Sequence, residues 1–347
     1  MATIKDVARQ AGVSVGTVSH VLSETVPVRS VLRDRVLAAI QKLDYQPNFV
    51  ARSLKANRTK TLGMVISDIT NPFFPQVVRG AEDCALKYGY LLNTFNTDDQ
   101  VEREQQVFAL LRSRRVDGIL LVVAPSPAGD VAHIRKMVES GIPVVCLDRI
   151  PQGIALDSVS VDNVKGAQMC VRHLINKGHR RIGIITGSLS LQTAKERLEG
   201  YRSALHGASI KPEPGLILEG DFREGSGYRL GKELLLGPHP PTAVFVSNGM
   251  MAVGVVRAVE EIGMECPGDI AIASFDDLPL ASAFRPHLTA VALPAYQIGY
   301  KGAELLIKRV RKVSTGKYTT IRLDSELIIR ESTATGAVAP ERRTVTV

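Results

Sequence analysis

The chain has 347 residues and a formal net charge of +8, and 45% of its residues are hydrophobic. Since domains usually contain ~100–200 residues, this length predicts two or three domains. The charge is uneven, because residues 1–60 hold ten Lys and Arg against four Asp and Glu, leaving an excess of only two for the rest. A basic N-terminal segment on a nearly neutral body is typical of a protein that binds phosphate at one end.

Cysteine spacing and hydropathy argue against a metal-binding, secreted or membrane protein. The sequence has no Cys-x-x-Cys pair and no histidine at zinc-ligand spacing, and its four cysteines are scattered: Cys84, Cys146, Cys170 and Cys266. They are typical of reduced, mostly buried thiols, so we expect no metal site. A polar N-terminus and apolar runs shorter than ~18 residues predict neither a signal peptide nor a membrane span. We therefore expect a cytoplasmic protein.

Residues 3–22 have the pattern of a helix-turn-helix. Thr3 and Asp6 form a capping-box pattern, and Gly12 is a natural end for the first helix. Ser14 is a good N-cap for the second helix. The residues facing outward at its start are Val15, Gly16, Ser19 and His20, and all of them except the histidine are small. Such a face can enter a DNA major groove, although any two short amphipathic helices joined by glycine would look similar.

A third amphipathic helix between residues 32 and 45 completes the predicted N-terminal domain, residues 1–46. The segment 47–60 follows, with a helix start signal at Asn48 and about eight helix-compatible residues. A helix this short is marginal in water unless something packs against it. The sequence therefore predicts a linker that becomes helical only when a partner holds it.

From Thr61 onward, apolar strands alternate with helices. Strands are predicted at residues 62–66, 91–92, 118–123, 143–147, 181–186, 216–218, 243–247 and 270–274. Continuous rather than alternating apolar strands predict parallel sheets covered on both faces by helices. The predicted fold class is thus an all-α helix-turn-helix domain followed by an α/β domain of two doubly wound lobes.

Polar residues follow several of these strands, where ligands bind in such sheets. Asn71-Pro-Phe-Phe74 follows the first strand and Asp148-Arg149 the fourth. Asn248 and Asp276-Asp277 follow two later strands. Together they predict a cleft that closes on a small molecule. Taken singly, each of these groups is equally explained as a cap or turn, and capping is the stronger interpretation for Asn248, which directly precedes a helix.

Several short motifs recur in order along the chain: Thr3-Ile-Lys-Asp-Val-Ala8, Ala11-Gly-Val-Ser14, Thr17-Val-Ser19, Tyr45-x-Pro-Asn48, Ala51-Arg-Ser-Leu54, Asn71-Pro-Phe-Phe74, Arg197-x-x-Gly-Tyr201, Phe275-Asp-Asp277, Pro286-x-Leu-Thr289 and Arg330-x-Ser-Thr333. In this order and spacing they resemble the lac-repressor/purine-repressor family of bacterial transcription regulators over essentially the whole chain.

The resemblance implies specific DNA contacts. The implied major-groove residues are Val15, Gly16, Thr17, Ser19 and His20. The family's hinge helix would span 48–56, and its implied minor-groove residues are Asn48, Ala51, Leu54 and Lys55. In the family, the leucine pairs with its partner-subunit copy and wedges into a central base step, which suits an apolar side chain on a basic helix. The alternative for Leu54 is a contact with the body of the protein.

For residues 61–333 the resemblance implies a periplasmic-binding-protein fold that binds an effector and dimerises. Lobe 1 would comprise about 61–160 and 292–320, lobe 2 about 161–291 and 321–333, with a tail at 334–347. The implied effector-binding residues are Phe73, Asp148, Arg149, Arg197, Phe222, Asn248 and Asp276. A cation on a helix surface is the alternative for Arg197.

One position departs from the family pattern, and one glycine-rich stretch partly resembles a dinucleotide-binding loop. Gly249 stands where the family commonly has Asp, so one carboxylate is missing. The stretch 225–231 contains three glycines but lacks the Gly-x-Gly-x-x-Gly spacing of a dinucleotide loop. No motif of an enzyme is evident, and we expect no catalytic residues and no cofactor.

The sequence therefore predicts a ligand-responsive repressor that binds a pseudo-palindromic operator as a homodimer. A tail without leucine heptads favours the dimer over a tetramer. The effector is expected to be a sugar or sugar derivative, with a nucleobase as the purine-type, corepressor-dependent alternative. A solute-binding component of a transport system is the other alternative, disfavoured by the basic N-terminal unit.

Overall fold

The computed structural model describes residues 2–23, 26–45, 58–126, 130–278, 285–313 and 316–334. These residues form two compact units, which divide between Thr59 and Lys60.

The first unit is a three-helix bundle of α1 (Ile4–Ala11), α2 (Val15–Ser23) and α3 (Ser30–Lys42). Thr3 and Asp6 form the predicted capping box, and Gly12 ends α1 in the left-handed region at φ 60°. Its core contains Val7, Val18 and Val36, with Val13 packed against it. Within α3, Ala39 lies in the core, whereas Leu37 is 46% exposed.

The second unit contains two six-stranded sheets. Strands of the first are β1 (Thr61–Ile66), β2 (Leu91–Asn96), β3 (Gly118–Leu121), β4 (Val144–Leu147), β5 (Asp157–Val161) and β11 (Thr320–Leu323). They are all parallel, in the order β11-β5-β4-β3-β1-β2. Its helices are α4 (Phe73–Lys87), α5 (Val101–Ser113), α6 (Ala132–Glu139) and α11 (Ala295–Val310).

The second sheet contains β6 (Ile182–Thr186), β7 (Ile217–Glu219), β8 (Ala243–Val246), β9 (Ala271–Phe275), β10 (Thr289–Ala292) and β12 (Glu326–Ile328). Its order is β12-β10-β9-β8-β6-β7, and β12 alone runs antiparallel, beside β10. Its helices are α7 (Asn163–Asn176), α8 (Gln192–Gly207), α9 (Glu224–Leu235) and α10 (Gly249–Ile262). The strands β8 and β9 are wholly buried, as their continuous apolar sequences predict.

The chain passes between the two sheets after β5, after β10 and between β11 and β12. One lobe boundary differs from the prediction. The prediction places residues 321–333 in lobe 2. β11 instead pairs with β5 of the first sheet, where Ile321 lies beside Val159. The edge strand Thr320–Leu323 alternates exposed and half-buried residues, so it lacks the apolar run that identified the central strands.

Two of the three glycines in residues 225–231 serve helix packing, Gly227 and Gly231, whereas a Cβ on Gly225 would meet open space. Gly227 lies in α9 against α10, where a Cβ atom would stand 2.1 Å from the carbonyl oxygen of Met251. A Cβ on Gly254 of α10 would likewise stand 2.2 Å from the carbonyl oxygen of Glu224. The two backbones touch, which explains these glycines without a phosphate-binding loop.

Candidate functional sites

The first candidate site is the exposed face of α2. Ser14 caps this helix, since its Oγ accepts a hydrogen bond from the Thr17 amide at 3.1 Å. Val18 is fully buried, whereas Val15 is 41% exposed and both Gly16 and His20 are exposed. Thr17 and Ser19 are half-buried. The predicted major-groove residues therefore lie at or beside a solvent-facing surface of the first unit.

The predicted minor-groove residues Asn48, Ala51, Leu54 and Lys55 lie outside the described residues. Their role stays a prediction.

The second candidate site lies where strands of both sheets of the second unit end. A small cavity of about 20 Å³ is lined by Asn71, Phe73, Phe74, Asp148, Arg149, Thr193, Arg197, Phe222, Asn248 and Asp276. All seven residues predicted for effector binding are therefore brought together. The volume is close to the ~10–15 Å³ that one water molecule needs, so the lining side chains nearly fill the space at the strand ends.

Two hydrogen bonds join residues of the two lobes. Arg223, which precedes α9, donates to the carbonyl oxygen of Asp98 at 2.9 Å. Gln152, after β4, donates to Gln192 at the start of α8 at 2.7 Å. A larger cavity of about 350 Å³ adjoins the small one and shares Phe73 and Asp276 with it.

Asp148 and Arg149 reach the cavity from the end of β4. Arg149 is 5% exposed and its Nη1 donates to Asp99 Oδ1 at 2.5 Å and to the carbonyl oxygen of Val123 at 3.3 Å. Its guanidinium carbon lies 5.7 Å from the centre of the Phe222 ring. The positive charge of Arg149 is thus already paired within lobe 1.

Arg197 extends from α8 and is only 3% exposed, so it is not a surface cation. Its Nε donates to Asn163 Oδ1 at 2.9 Å and its Nη1 to the carbonyl oxygen of Ser247 at 2.6 Å. Its guanidinium carbon stands 3.9 Å from the centre of the Phe275 ring, a cation–π distance. Both hydrogen-bond partners are neutral, so this charge is balanced only by carboxylates nearby.

Asn248 is held at both ends of its amide. Its Oδ1 accepts from the Met251 amide at 3.0 Å, which makes it the N-cap of α10. Its Nδ2 donates to the carbonyl oxygen of Phe222 at 2.8 Å. Asn248 therefore caps the helix, as its position favoured, and also fixes the backbone that presents the Phe222 ring.

The neighbouring Gly249 makes room for Leu278. A Cβ at this position would stand 2.5 Å from Leu278 Cγ, and Leu278 is 7% exposed. An apolar side chain therefore lies against the position where the family commonly has a carboxylate.

The two aspartates differ from the other polar side chains of the cavity. Asp148 Oδ1 and Asp276 Oδ1 are buried and have no hydrogen-bond partner among the described residues. Leaving a buried acceptor unsatisfied costs ~1–3 kcal/mol. Both aspartates therefore have an acceptor ready for a hydrogen-bond donor from a ligand.

Burial also changes how these carboxyl groups ionise. Burial raises the pKa of Asp276 to about 6, with Arg197 opposing the shift and the nearby Asp148 adding to it. Burial likewise raises the pKa of Asp148, against the opposing charges of Arg197 and Arg149. In both cases desolvation outweighs the two arginines.

Three residues of the cavity also have a strained backbone. Asp148, Phe222 and Asp276 have φ angles of 61°, 67° and 69°, in the left-handed region that non-glycine residues rarely adopt. Such strain clusters at ligand sites, because the surrounding structure must hold it in place.

Sequence reasoning left out several residues of this site. Asn71, Phe74 and Thr193 line the cavity, and Asp99 and Asn163 hold the two arginines. The Asn71-Pro-Phe-Phe74 motif did place the first two at a strand end, although neither was among the predicted effector-binding residues. Thr193, Asp99 and Asn163 had no distinguishing signal. Conversely, Asp277 does not line the small cavity, since both its carboxylate oxygens accept from Arg330 at 2.7 Å.

Two further observations concern the described part of the chain. Its His, Cys, Asp and Glu side chains nowhere form a group of three that could hold a metal ion. None of its helices is both long and apolar enough to cross a membrane.

A helix-turn-helix unit and a two-lobed domain with a cleft at its strand ends define the class of protein, a bacterial DNA-binding regulator. Residues 3–48 match the family model "Bacterial regulatory proteins, lacI family". Residues 171–333 match "Periplasmic binding protein-like domain".

Relatives of known function span nearly the whole chain. The HTH-type transcriptional repressor PurR of Photobacterium profundum is 36% identical over 332 residues, covering 96% of this chain and 98% of that protein. The ribose operon repressor of Escherichia coli K12 is 39% identical over 312 residues, covering 89% and 93%.

Solved structures are similar over the same length. The lac repressor dimer bound to operator and an anti-inducer superimposes with a TM-score of 0.83 at 27% identity, covering 96% of this chain and 99% of that one. The complex of the transcriptional regulator CelR with cellobiose gives 0.73 at 30% identity, covering 96% and 100%. The chain belongs to the lacI family of bacterial regulatory proteins, and its PurR and ribose operon relatives are repressors.

Proposed function

We propose that this chain is a homodimeric repressor whose binding to a pseudo-palindromic operator is controlled by a neutral, hydroxyl-rich effector, a sugar or sugar derivative. The single observation that supports the effector best is the pair of buried, unpartnered oxygens Asp148 Oδ1 and Asp276 Oδ1. A sugar ring supplies what they lack, since each hydroxyl donates one hydrogen bond.

The charges around the cavity favour a neutral ligand over an acid or a phosphate. Arg149 is paired with Asp99, and the remaining cation, Arg197, faces two carboxyl groups, Asp148 and Asp276. An anionic ligand would add negative charge to a buried site where acceptors already lack donors. The aromatic rings of Phe73 and Phe222, which line the same cavity, suit the apolar faces of a sugar ring.

The relatives point to the compounds worth testing first. One relative is named for a ribose operon, and CelR was solved with cellobiose. We propose D-ribose as the first probe, with cellobiose, a sugar phosphate and purine bases in the same panel. The purine-type alternative has support of its own, because PurR proteins match at 36% identity.

The effector test is a calorimetric titration of the full-length chain with each compound. Asp148→Asn and Asp276→Asn should each weaken sugar binding by about 10-fold or more, since a hydrogen bond to a charged group contributes ~1.5–3 kcal/mol. Asp324→Asn is the matched control, because that side chain is 93% exposed. Tighter binding of a sugar phosphate than of its parent sugar would contradict the charge argument, and tight binding of a purine base would favour the alternative.

The DNA-binding proposal rests on the exposed α2 face and the basic first unit. It assigns major-groove contacts to Val15, Gly16 and His20, with Thr17 and Ser19 near the backbone, and minor-groove contacts to Asn48, Ala51, Leu54 and Lys55. A repressor that acts on chromosomal operators works in the cytoplasm and needs no catalytic group. Dimerisation matches the two half-sites of a pseudo-palindrome.

Two matched pairs of variants test these contacts by DNA affinity at fixed salt. His20→Ala should weaken operator binding, whereas His206→Ala, an exposed histidine on α8, should not. Leu54→Ala should also weaken it, whereas Leu236→Ala, which is 61% exposed, should not. Sugar affinity should stay unchanged in all four. Equal operator affinity across both pairs would refute the assignment of the DNA-binding face.

A further inference from the structure

A buried Glu–His pair outside the cavity touches the backbone that holds Arg149. Glu104, in the first turn of α5, is fully buried. His133, in the first turn of α6, places its Nε2 2.6 Å from Glu104 Oε1. The other carboxylate oxygen, Oε2, accepts from the backbone amide of Ala124 at 2.7 Å. Neither residue lines the small cavity, and the proposed function does not use either of them.

The packing around the pair leaves it little freedom. The His133 side chain is 11% exposed, and its ring meets Phe108 edge-on at a centroid distance of 5.5 Å. Its second nitrogen, Nδ1, is buried and has no hydrogen-bond partner among the described residues. Burying a carboxylate costs free energy unless hydrogen-bond donors surround it. If Glu104 only filled space, a leucine at this position would stabilise the fold more.

The chain of contacts leads from this carboxylate to the cavity in two short steps. Ala124 follows Val123, whose carbonyl oxygen accepts from Arg149 Nη1 at 3.3 Å. The same nitrogen donates to Asp99 Oδ1, just before the start of α5. The Glu104 amide in turn donates to the carbonyl oxygen of Gln100 at 3.0 Å.

Arg149 is thus held by two chain segments, the one after β3 through the Val123 carbonyl and the one before α5 through the Asp99 side chain. Glu104 is a side chain that joins both of them, since it belongs to α5 and binds the segment after β3. We propose that Glu104, supported by His133, is a positioning residue for Arg149 and so sets effector affinity from outside the cavity. This inference rests on the proposed function of the cavity.

The first test follows hydrogen exchange in the full-length chain without any sugar. In Glu104→Ala the amide of Ala124 loses its acceptor, so exchange should speed up across residues 122–126 and around Arg149. Glu104→Gln should restore protection, because an amide oxygen accepts from Ala124 and its NH₂ group meets the other tautomer of His133. Leu111→Ala is the matched control, since it creates a defect in the same helix at a residue only 1% exposed.

Unchanged exchange at residues 122–126 in Glu104→Ala would overturn the proposal whether or not a sugar binds. So would equal acceleration there in Leu111→Ala, because it would mean that any defect in α5 has the same effect.

The second test measures D-ribose affinity in the same variants. Glu104→Ala should weaken it by about 10-fold, the effect of losing one hydrogen bond to a charged group, with Glu104→Gln and Leu111→Ala near the wild-type value. Normal D-ribose affinity in Glu104→Ala would refute the positioning role. If the wild-type chain binds no sugar, the effector assignment fails, and hydrogen exchange still decides whether Glu104 holds the Arg149 segment.

Discussion

Replacing Asp276 by asparagine should stabilise the protein near neutral pH while weakening sugar binding. Asparagine keeps the shape of the side chain but has no charge to desolvate. The pKa of Asp276 lies at about 6 in the folded protein against an ordinary value of 3.8. The folded state therefore holds the proton more tightly than the unfolded chain, so the native carboxyl destabilises the fold as pH rises from about 4 through about 6.

The size of the effect follows from the two pKa values. A shift of about two pKa units corresponds to about 3 kcal/mol once the carboxylate is fully ionised. Near pH 4.5 only about 1 kcal/mol of this cost has developed. Asp276→Asn should thus gain about 2 kcal/mol in unfolding free energy between about pH 4.5 and pH 7, relative to the wild type.

Equilibrium urea unfolding by tyrosine fluorescence provides the assay. Seven of the eight tyrosines lie beyond residue 59, so the signal reports mainly on the second unit. The exposed Asp324→Asn variant should show no such pH dependence. A stability difference that is absent at about pH 7, or the same at both pH values, would refute the view that Asp276 is a strained, desolvated ligand group.

Three further substitutions probe the same architecture. Asn248→Ala should destabilise the second unit by roughly 2 kcal/mol in urea unfolding, because it removes both the α10 cap and the bond to the Phe222 carbonyl; unchanged stability would show that neither contact matters. Gly249→Ala should cost roughly 1–3 kcal/mol through overpacking against Leu278, and a neutral result would mean that Leu278 moves freely. Ser14→Ala should lower the unfolding free energy of the first unit by about 1 kcal/mol in thermal unfolding and leave D-ribose affinity unchanged. A loss of sugar binding would contradict the assignment of DNA binding to the first unit and sugar binding to the second.

The sequence predicts that polar residues from several strands meet at one place, because parallel strands place their ends at a common edge. Asp148, Asn248 and Asp276 each follow a buried strand, and the structure brings them to one cavity. The pattern does not predict which hydrogen bonds each side chain makes. Asn248 caps α10 and donates to the backbone carbonyl of Phe222, whereas Asp276 Oδ1 has no hydrogen-bond partner among the described residues.

Other features had no local signal at all. β11 is an edge strand with alternating exposure, so no apolar run indicated its place in the first sheet. Glu104 lies on a helix rich in charged residues, and its sequence context resembles that of a solvated side chain. Only the fold shows that it is fully buried, since its contacts come from residues twenty or more positions away.

The most direct test of the central claim couples the two sites in one measurement. Duplexes enriched from a randomised palindromic pool by the full-length chain would supply the operator, and its affinity would then be measured at fixed salt with and without D-ribose. The account predicts that saturating sugar changes operator affinity by about 10-fold or more, within the usual range of coupling between sites. It also predicts that Asp276→Asn needs about 10-fold more sugar for the same response, with sugar-free DNA binding unaltered. Sugar binding that leaves operator affinity unchanged would contradict it.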